Sequence, residues 1–110
     1  MEEIKFDEWK KLDLRVGKIL KVEEHPDADK LYVLEIDLGG EKRKVVAGLK
    51  AHYKPKELKG KQCIVFCNLE PAVIRGVKSE GMVLAAGNED KSKLLILQPE
   101  EEIELGSKIS

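Results

Sequence analysis

Three strand-like runs, a short helical turn and two further strand-like runs follow one another between residues 14 and 86, and this order leaves few folds open. The first run, residues 14–22, alternates Leu14 and Val16 with Arg15, then slips phase so that Ile19 and Lys21 continue it. Gly17 stands at the slip, where a glycine within a strand predicts a bulge or bend. Residues 23–29 form a turn by composition. The second run, residues 30–38, sets Tyr32, Leu34, Ile36 and Leu38 on one side, the period of a half-buried strand. Gly39-Gly40 predicts a hairpin into the third run, residues 42–47. In residues 54–60, Pro55 suits the first position of a helical turn and Gly60 its stop. Residues 61–67 are apolar on both faces and read as a central strand, with residues 81–86 as the fifth.

This order is that of an all-β, five-stranded OB-fold barrel with a short helix between strands 3 and 4, a fold whose ligands include oligonucleotides. Before it, residues 6–12 read as a short N-terminal helix, with Asp7 as its cap and Phe6, Trp9 and Leu12 near one face. After it, residues 94–97 and 103–105 are apolar beyond what five strands require. They must pack on the barrel or on a second copy across a two-fold interface. The expected organisation is one domain over residues 1–110: a helical segment (1–13), the barrel (14–86) and a C-terminal strand extension (87–110). A chain of 110 residues buries roughly two-thirds of its unfolded surface, enough for a core without disulfides or metal. No apolar run approaches the roughly 20 residues of a membrane span, and no leader is visible, which predicts a cytoplasmic protein with no membrane partner.

The net charge of −1 conceals a pattern. Residues 1–13 carry a net −2 and residues 87–110 a net −3, whereas residues 14–86 hold fourteen basic and ten acidic side chains, a net +4. A basic centre between acidic ends can bind an anion on one face. The stretch 68–82 joins the fourth and fifth strands, and a connection of that length in a small domain is functional or disordered. Ile74, Val77 and Met82 argue for order, while Asn68, Arg75, Lys78 and Ser79 can donate to phosphate or sugar oxygens. Lys42, Arg43 and Lys44 form a basic run on the third strand, of which at most two can address one ligand. Arg15 and Lys18, close together across the suspected bend, are further candidates for the same groove.

Aromatic content separates the modes of nucleic-acid binding. Single-strand binders stack bases on aromatic platforms, but this chain has only Phe6, Trp9, Tyr32, Tyr53 and Phe66. With Trp9 and Phe66 assigned to the core, recognition through backbone shape and charge fits better, as for a folded RNA. Cys63 and Cys67 share a strand face roughly 13 Å apart, too far for a mutual disulfide, and read as reduced core thiols. His25, Asp27 and Asp29 lie in a Pro-containing turn where Asp bonds local backbone, so neither a metal nor a cofactor is expected. Catalysis is not expected either. The chain has no Thr, Ser79 has no evident paired His, and no Walker-type loop occurs.

Five blocks then resemble one family. Asp13-Leu-Arg-Val-Gly-Lys18, His25-Pro-Asp-Ala-Asp-Lys-Leu-Tyr-Val33, Val46-Ala-Gly48, Asn68-Leu-Glu-Pro71 and Ile74-Arg-Gly-Val-Lys-Ser-Glu-Gly-Met82 are similar, in order, to the tRNA-binding domain family. That family includes the C-terminal domain or β-subunit of methionyl-tRNA synthetase and stand-alone tRNA-binding proteins. The His-Pro block resembles the methionyl-synthetase branch, and a secretion-chaperone branch usually departs from it. The resemblance implies an OB-fold, homodimerisation through the C-terminal segment, and a largely sequence-independent grip on the tRNA body. It implies a non-catalytic accessory part that raises the tRNA affinity of the catalytic part of an ATP-dependent methionine–tRNA ligase. A free tRNA-binding cofactor of several synthetases and a chaperone-like peptide-binding dimer are the alternatives. Carried onto this sequence, it points to Lys30, Asn68, Arg75, Ser79 and Met82, beside the Arg15, Lys18, Lys42, Lys44 and Lys78 of the residue reading.

Overall fold

A computed structural model describes residues 1–110. Its elements in chain order are α1 (Phe6–Trp9), β1 (Leu14–Glu24), β2 (Tyr32–Asp37), β3 (Lys42–Ala47), α2 (Pro55–Leu58), β4 (Gln62–Phe66), β5 (Ala72–Ile74), β6 (Val77–Ser79), β7 (Met82–Val83), β8 (Ala85–Gly87) and β9 (Leu94–Ile96). Strand β1 is the hub. It pairs antiparallel with β4 through Leu14 to Lys18 and with β2 through Lys18 to Glu24, so the five-stranded sheet runs β3-β2-β1-β4-β7. Its two ends meet beyond β6. The Glu80 N–H donates to Lys44 O at 2.8 Å, and the Val46 N–H donates to Ser79 Oγ at 3.0 Å. The result is a nearly closed OB-fold barrel with α2 between β3 and β4, as the order of the runs predicts.

The alternation along β2 puts Tyr32, Leu34 and Ile36 inside, against Ile19, Val45, Leu49, Leu58, Cys63 and Val65. Cys63 and Cys67 are buried free thiols, and burial pushes Cys63 up to about 12. A second cluster, Leu14, Val16 and Ile64, lies on the other face of β1 and β4 under Leu84, Leu105 and Ile109. The apparent phase slip in β1 therefore has a different cause from the expected bulge at Gly17. Leu14 and Val16 belong to one cluster and Ile19 to the other, without a break in pleat. Gly17 is needed for space: a Cβ there would stand 2.6 Å from Ile36 Cγ2. The register shift falls between Ile19 and Lys21. It turns Lys21 outward and lets Val22 pack on the core behind Ile19.

Further expectations are corrected. Helix α1 spans only four residues, starts from Lys5 rather than Asp7 and buries nothing, leaving Phe6 70% and Trp9 37% exposed. Trp9 is thus not core, whereas Phe66 packs half-buried on the second cluster. Strand β2 begins at Tyr32, which leaves Lys30 in the preceding turn. The fifth strand is split, because β7 pairs with β4 whereas β8 pairs with β9. Residues 103–105 form no strand; the tail just beyond them does the pairing. Gly106 N–H donates to Val16 O, Val16 N–H to Ser107 O, and Ile109 N–H to Leu14 O, at 2.8–2.9 Å. The tail occupies, within the same chain, the half of β1 that β2 leaves free.

Candidate functional site

A groove runs across the outer face of β2 and β3. Lys21, Glu23 and Glu24 line it from the end of β1, Val33 and Glu35 from β2, Lys42 and Lys44 from β3, and Val77 and Glu80 from the connection beyond β4. This is the face that OB-folds offer to oligonucleotides and oligosaccharides. Strand alternation divides the basic run on β3. Lys42 and Lys44 are exposed, while the Arg43 guanidinium turns to the barrel seam, donating to Cys67 O and, at 3.3 Å, to Glu80 O. The groove is mixed in sign: Lys42 Nζ stands 4.0 Å from Glu35, and the Lys44 N–H donates to Glu80 Oε1.

The stretch after β4 is a hairpin arm rather than a loop. Ile74 pairs with Val77, so Arg75 and Gly76 form a two-residue turn with φ of 50° and 87°. Both values are positive, as the primed hairpin turns require. Left-handed backbone costs a non-glycine residue about 1–2 kcal/mol, and here it holds Arg75 exposed at the apex. Ser79 faces the barrel and is 4% exposed, its hydroxyl accepting from Val46 N–H and donating to Gly81 O. Lys78 is exposed on the opposite face of the arm, paired across it with exposed Val73. The buried His25 ring latches the arm to the β1–β2 turn. Its Nε2 donates to Ile74 O at 2.9 Å, and its Nδ1 accepts from the Asp27 N–H at 3.0 Å. The local bond expected of an Asp carboxylate in this turn is made by His25 instead.

The other sequence candidates do not converge on the groove. Asn68 clips the N-terminal segment to the base of the arm: its Oδ1 accepts from the Asp13 N–H at 2.8 Å and its Nδ2 donates to Lys11 O at 2.6 Å. Arg15 lies beside Gly39, Gly40 and Leu105, with its Nε donating to Asp13 at 2.9 Å. That bond holds the Asp13 carboxyl below the usual carboxylate range. Lys18 is half-buried opposite Gln62 and Asp37, outside the groove lining. Lys30 is exposed in the turn that His25 organises, and Met82, exposed at 42%, pairs with Phe66. Sequence reasoning missed Lys21, because only the register shift turns it outward. It also missed a lysine-rich patch around α2, which a charge count over residues 50–61 would have found.

Residues 14–108 match the family model described as "Putative tRNA binding domain". The chain is 51% identical to a methionine–tRNA ligase of Pyrococcus furiosus and 53% to that of Thermococcus kodakarensis, each over 99% of this chain. It spans only 15% and 14% of the length of those relatives. Among solved structures, a MetRS-related protein from Pyrococcus horikoshii superposes with a TM-score of 0.93 at 35% identity, covering all of both chains. The chaperone CsaA of Bacillus anthracis superposes at 0.89 with 34% identity, covering 99% of this chain and all of that one.

Proposed function

Because this chain belongs to the tRNA-binding domain family, we propose that it is a non-catalytic module that grips the body of tRNA largely independently of sequence and raises the tRNA affinity of a methionine–tRNA ligase. The observation that carries this reading is the chemistry of the groove. Its walls set Lys21, Lys42 and Lys44 among Glu23, Glu24, Glu35 and Glu80 and offer no aromatic side chain. Tyr32 is buried with its hydroxyl on Tyr53 O, and the Tyr53 hydroxyl accepts from the Ile96 N–H. A ligand on this face meets alternating lysines and carboxylates rather than a stacking surface, which suits a phosphate–ribose backbone held at a few lysines better than unstacked bases. Arg75 at the apex supplies a planar, bidentate phosphate donor. Lys30, Lys78 and Met82 flank the arm, whereas Asn68 and Ser79 act by holding its base. Arg15 and Lys18 stand off the groove and contribute at most its surrounding field. Attached to a catalytic domain, or bound to one in the cytoplasm, the module raises the local concentration of tRNA there.

The test is binding to mixed tRNA, to a single-stranded RNA oligomer and to an unfolded peptide across a salt series. Preference for tRNA, with log affinity falling steeply against log salt, is expected. Arg75→Ala should weaken tRNA binding about tenfold, the effect of removing one charge-assisted hydrogen bond. It should leave the thermal midpoint nearly unchanged, since Ala keeps the same left-handed backbone. Equal loss of stability would make Arg75 structural. Salt-insensitive peptide binding with no tRNA binding would favour the peptide-binding reading that the CsaA likeness brings.

A second copy is part of the same proposal. The tail pairs within the chain yet leaves Leu95, Leu97 and Ile103 exposed, apolar surface that an isologous interface would cover. Sedimentation equilibrium should give a dimer that Leu95→Glu converts to monomer; a monomer at all concentrations rejects it.

A further inference from the structure

Residues 50–61 hold five lysines and one glutamate, a net +4 equal to that of the whole 14–86 stretch. The basic excess of the barrel is therefore local, and it sits around α2 rather than in the groove. Lys50 is neutralised by Glu24 at 2.6 Å, but Lys54, Lys56, Lys59 and Lys61 are exposed and pair with no carboxylate. The one acidic residue of the segment, Glu57, turns its carboxylate to the Lys54 N–H at 2.7 Å. This segment is held rigidly. Leu58 is wholly buried in the core, the Gly60 N–H donates to Ile19 O, and the Ile19 N–H donates to Lys61 O. Lys56 and Lys59 share a cleft with Lys21 and Glu23, which also line the groove on the β2–β3 face. The two surfaces are continuous through Lys21.

Apart from Leu58, which is inaccessible, residues 54–61 carry no large apolar side chain to enter a membrane or bury against a protein. The surface suits a hydrated polyanion. We propose that Lys54, Lys56, Lys59 and Lys61, joined to the groove by Lys21, form a second phosphate-binding surface that takes a separate segment of the same RNA backbone. This deepens the tRNA-binding reading and rests on it. A double-helical RNA presents two backbone segments at fixed spacing, and a flexible single strand does not. Two-point binding therefore selects folded RNA without reading a base.

The decisive comparison is between the wild-type chain and the quadruple variant Lys54→Gln/Lys56→Gln/Lys59→Gln/Lys61→Gln, each with mixed tRNA and with a single-stranded RNA oligomer. Measurements run from about 50 to 200 mM salt, where phosphate neutralisation dominates the salt dependence. Removing one lysine–phosphate pair should reduce the slope of log affinity against log salt by about 0.7–0.9, so removing two to four lowers it by roughly 1.5–3.5. Affinity for tRNA should fall more than affinity for the single strand, with the thermal midpoint unmoved. An unchanged slope in the variant, against a salt-dependent wild type, overturns this inference alone. Equal losses for both RNAs overturn the two-point grip. A wild type without salt-dependent tRNA binding overturns this inference and the reading beneath it. A variant that keeps its tRNA slope but loses binding to phosphatidylserine vesicles makes the patch a membrane surface and also overturns the inference.

Discussion

Leu58→Ala should lower the free energy of unfolding by about 2–5 kcal/mol, the range for truncating a buried leucine without collapse of the cavity. The upper part of that range is expected here. Leu58 has no solvent exposure, is the only buried residue of α2, and stands in the main core beside Ile19, Leu34 and Val65. A four-residue helix has no stability of its own. Leu58 and the backbone bonds at Ile19 and Gly60 are therefore what hold α2 against the barrel. Urea unfolding should show a lower midpoint with an unchanged m-value. Lys56→Ala, on the same helix and exposed, should change stability by no more than about 0.5 kcal/mol. A loss below about 1 kcal/mol at Leu58 would mean that the site relaxes to fill the space. It would also remove the rigidity invoked for the α2 lysines.

What is legible in the sequence follows from how many faces of each element are buried. Strand β2 has one buried face, so its alternation names Tyr32, Leu34 and Ile36 correctly. Strand β1 has two, one under the tail and one on the barrel core, and its pattern imitates a slip at Gly17 that the backbone does not make. Hydrophobicity records burial but not which partner buries it. The arm reads as a loop because β5 and β6 have three residues each, too few to display a period, and Arg75-Gly76 is not the usual Asn-Gly signal. Phase within the arm then separates Lys78 from Ser79, neighbours with equal claims as donors until one proves exposed and the other buried. Asn68 shows the same limit, since a side chain able to bond phosphate is equally able to bond the Asp13 N–H 55 residues away. Trp9 misleads for the opposite reason. The rule that tryptophan is buried presumes a surface that encloses it, and α1 lies on the surface with Trp9 still 37% exposed.

His25→Ala should release the arm. The ring is 5% exposed and uses both nitrogens, which fixes the neutral tautomer with its proton on Nε2. Alanine leaves Ile74 O and the Asp27 N–H without their partner and opens a void between the β1–β2 turn and the hairpin. Unsatisfied groups of this kind cost about 1–3 kcal/mol each when they stay buried. Much of that cost can be escaped by local opening, because the arm is otherwise tied mainly through Ser79 and Glu80 at its base. The expected effect is thus uneven. Amide exchange of residues 72–79 should accelerate far more than that of β1 and β2, since local opening free energies differ across a structure. Affinity for tRNA should fall more than for Arg75→Ala, because binding must then order the whole arm, a larger cost than the absence of one guanidinium. His25→Gln offers one donor near the Nε2 position and should recover part of the protection. Uniform acceleration across the barrel would make His25 an ordinary core residue. Unchanged exchange in the arm, together with unchanged tRNA affinity, would remove the latch altogether.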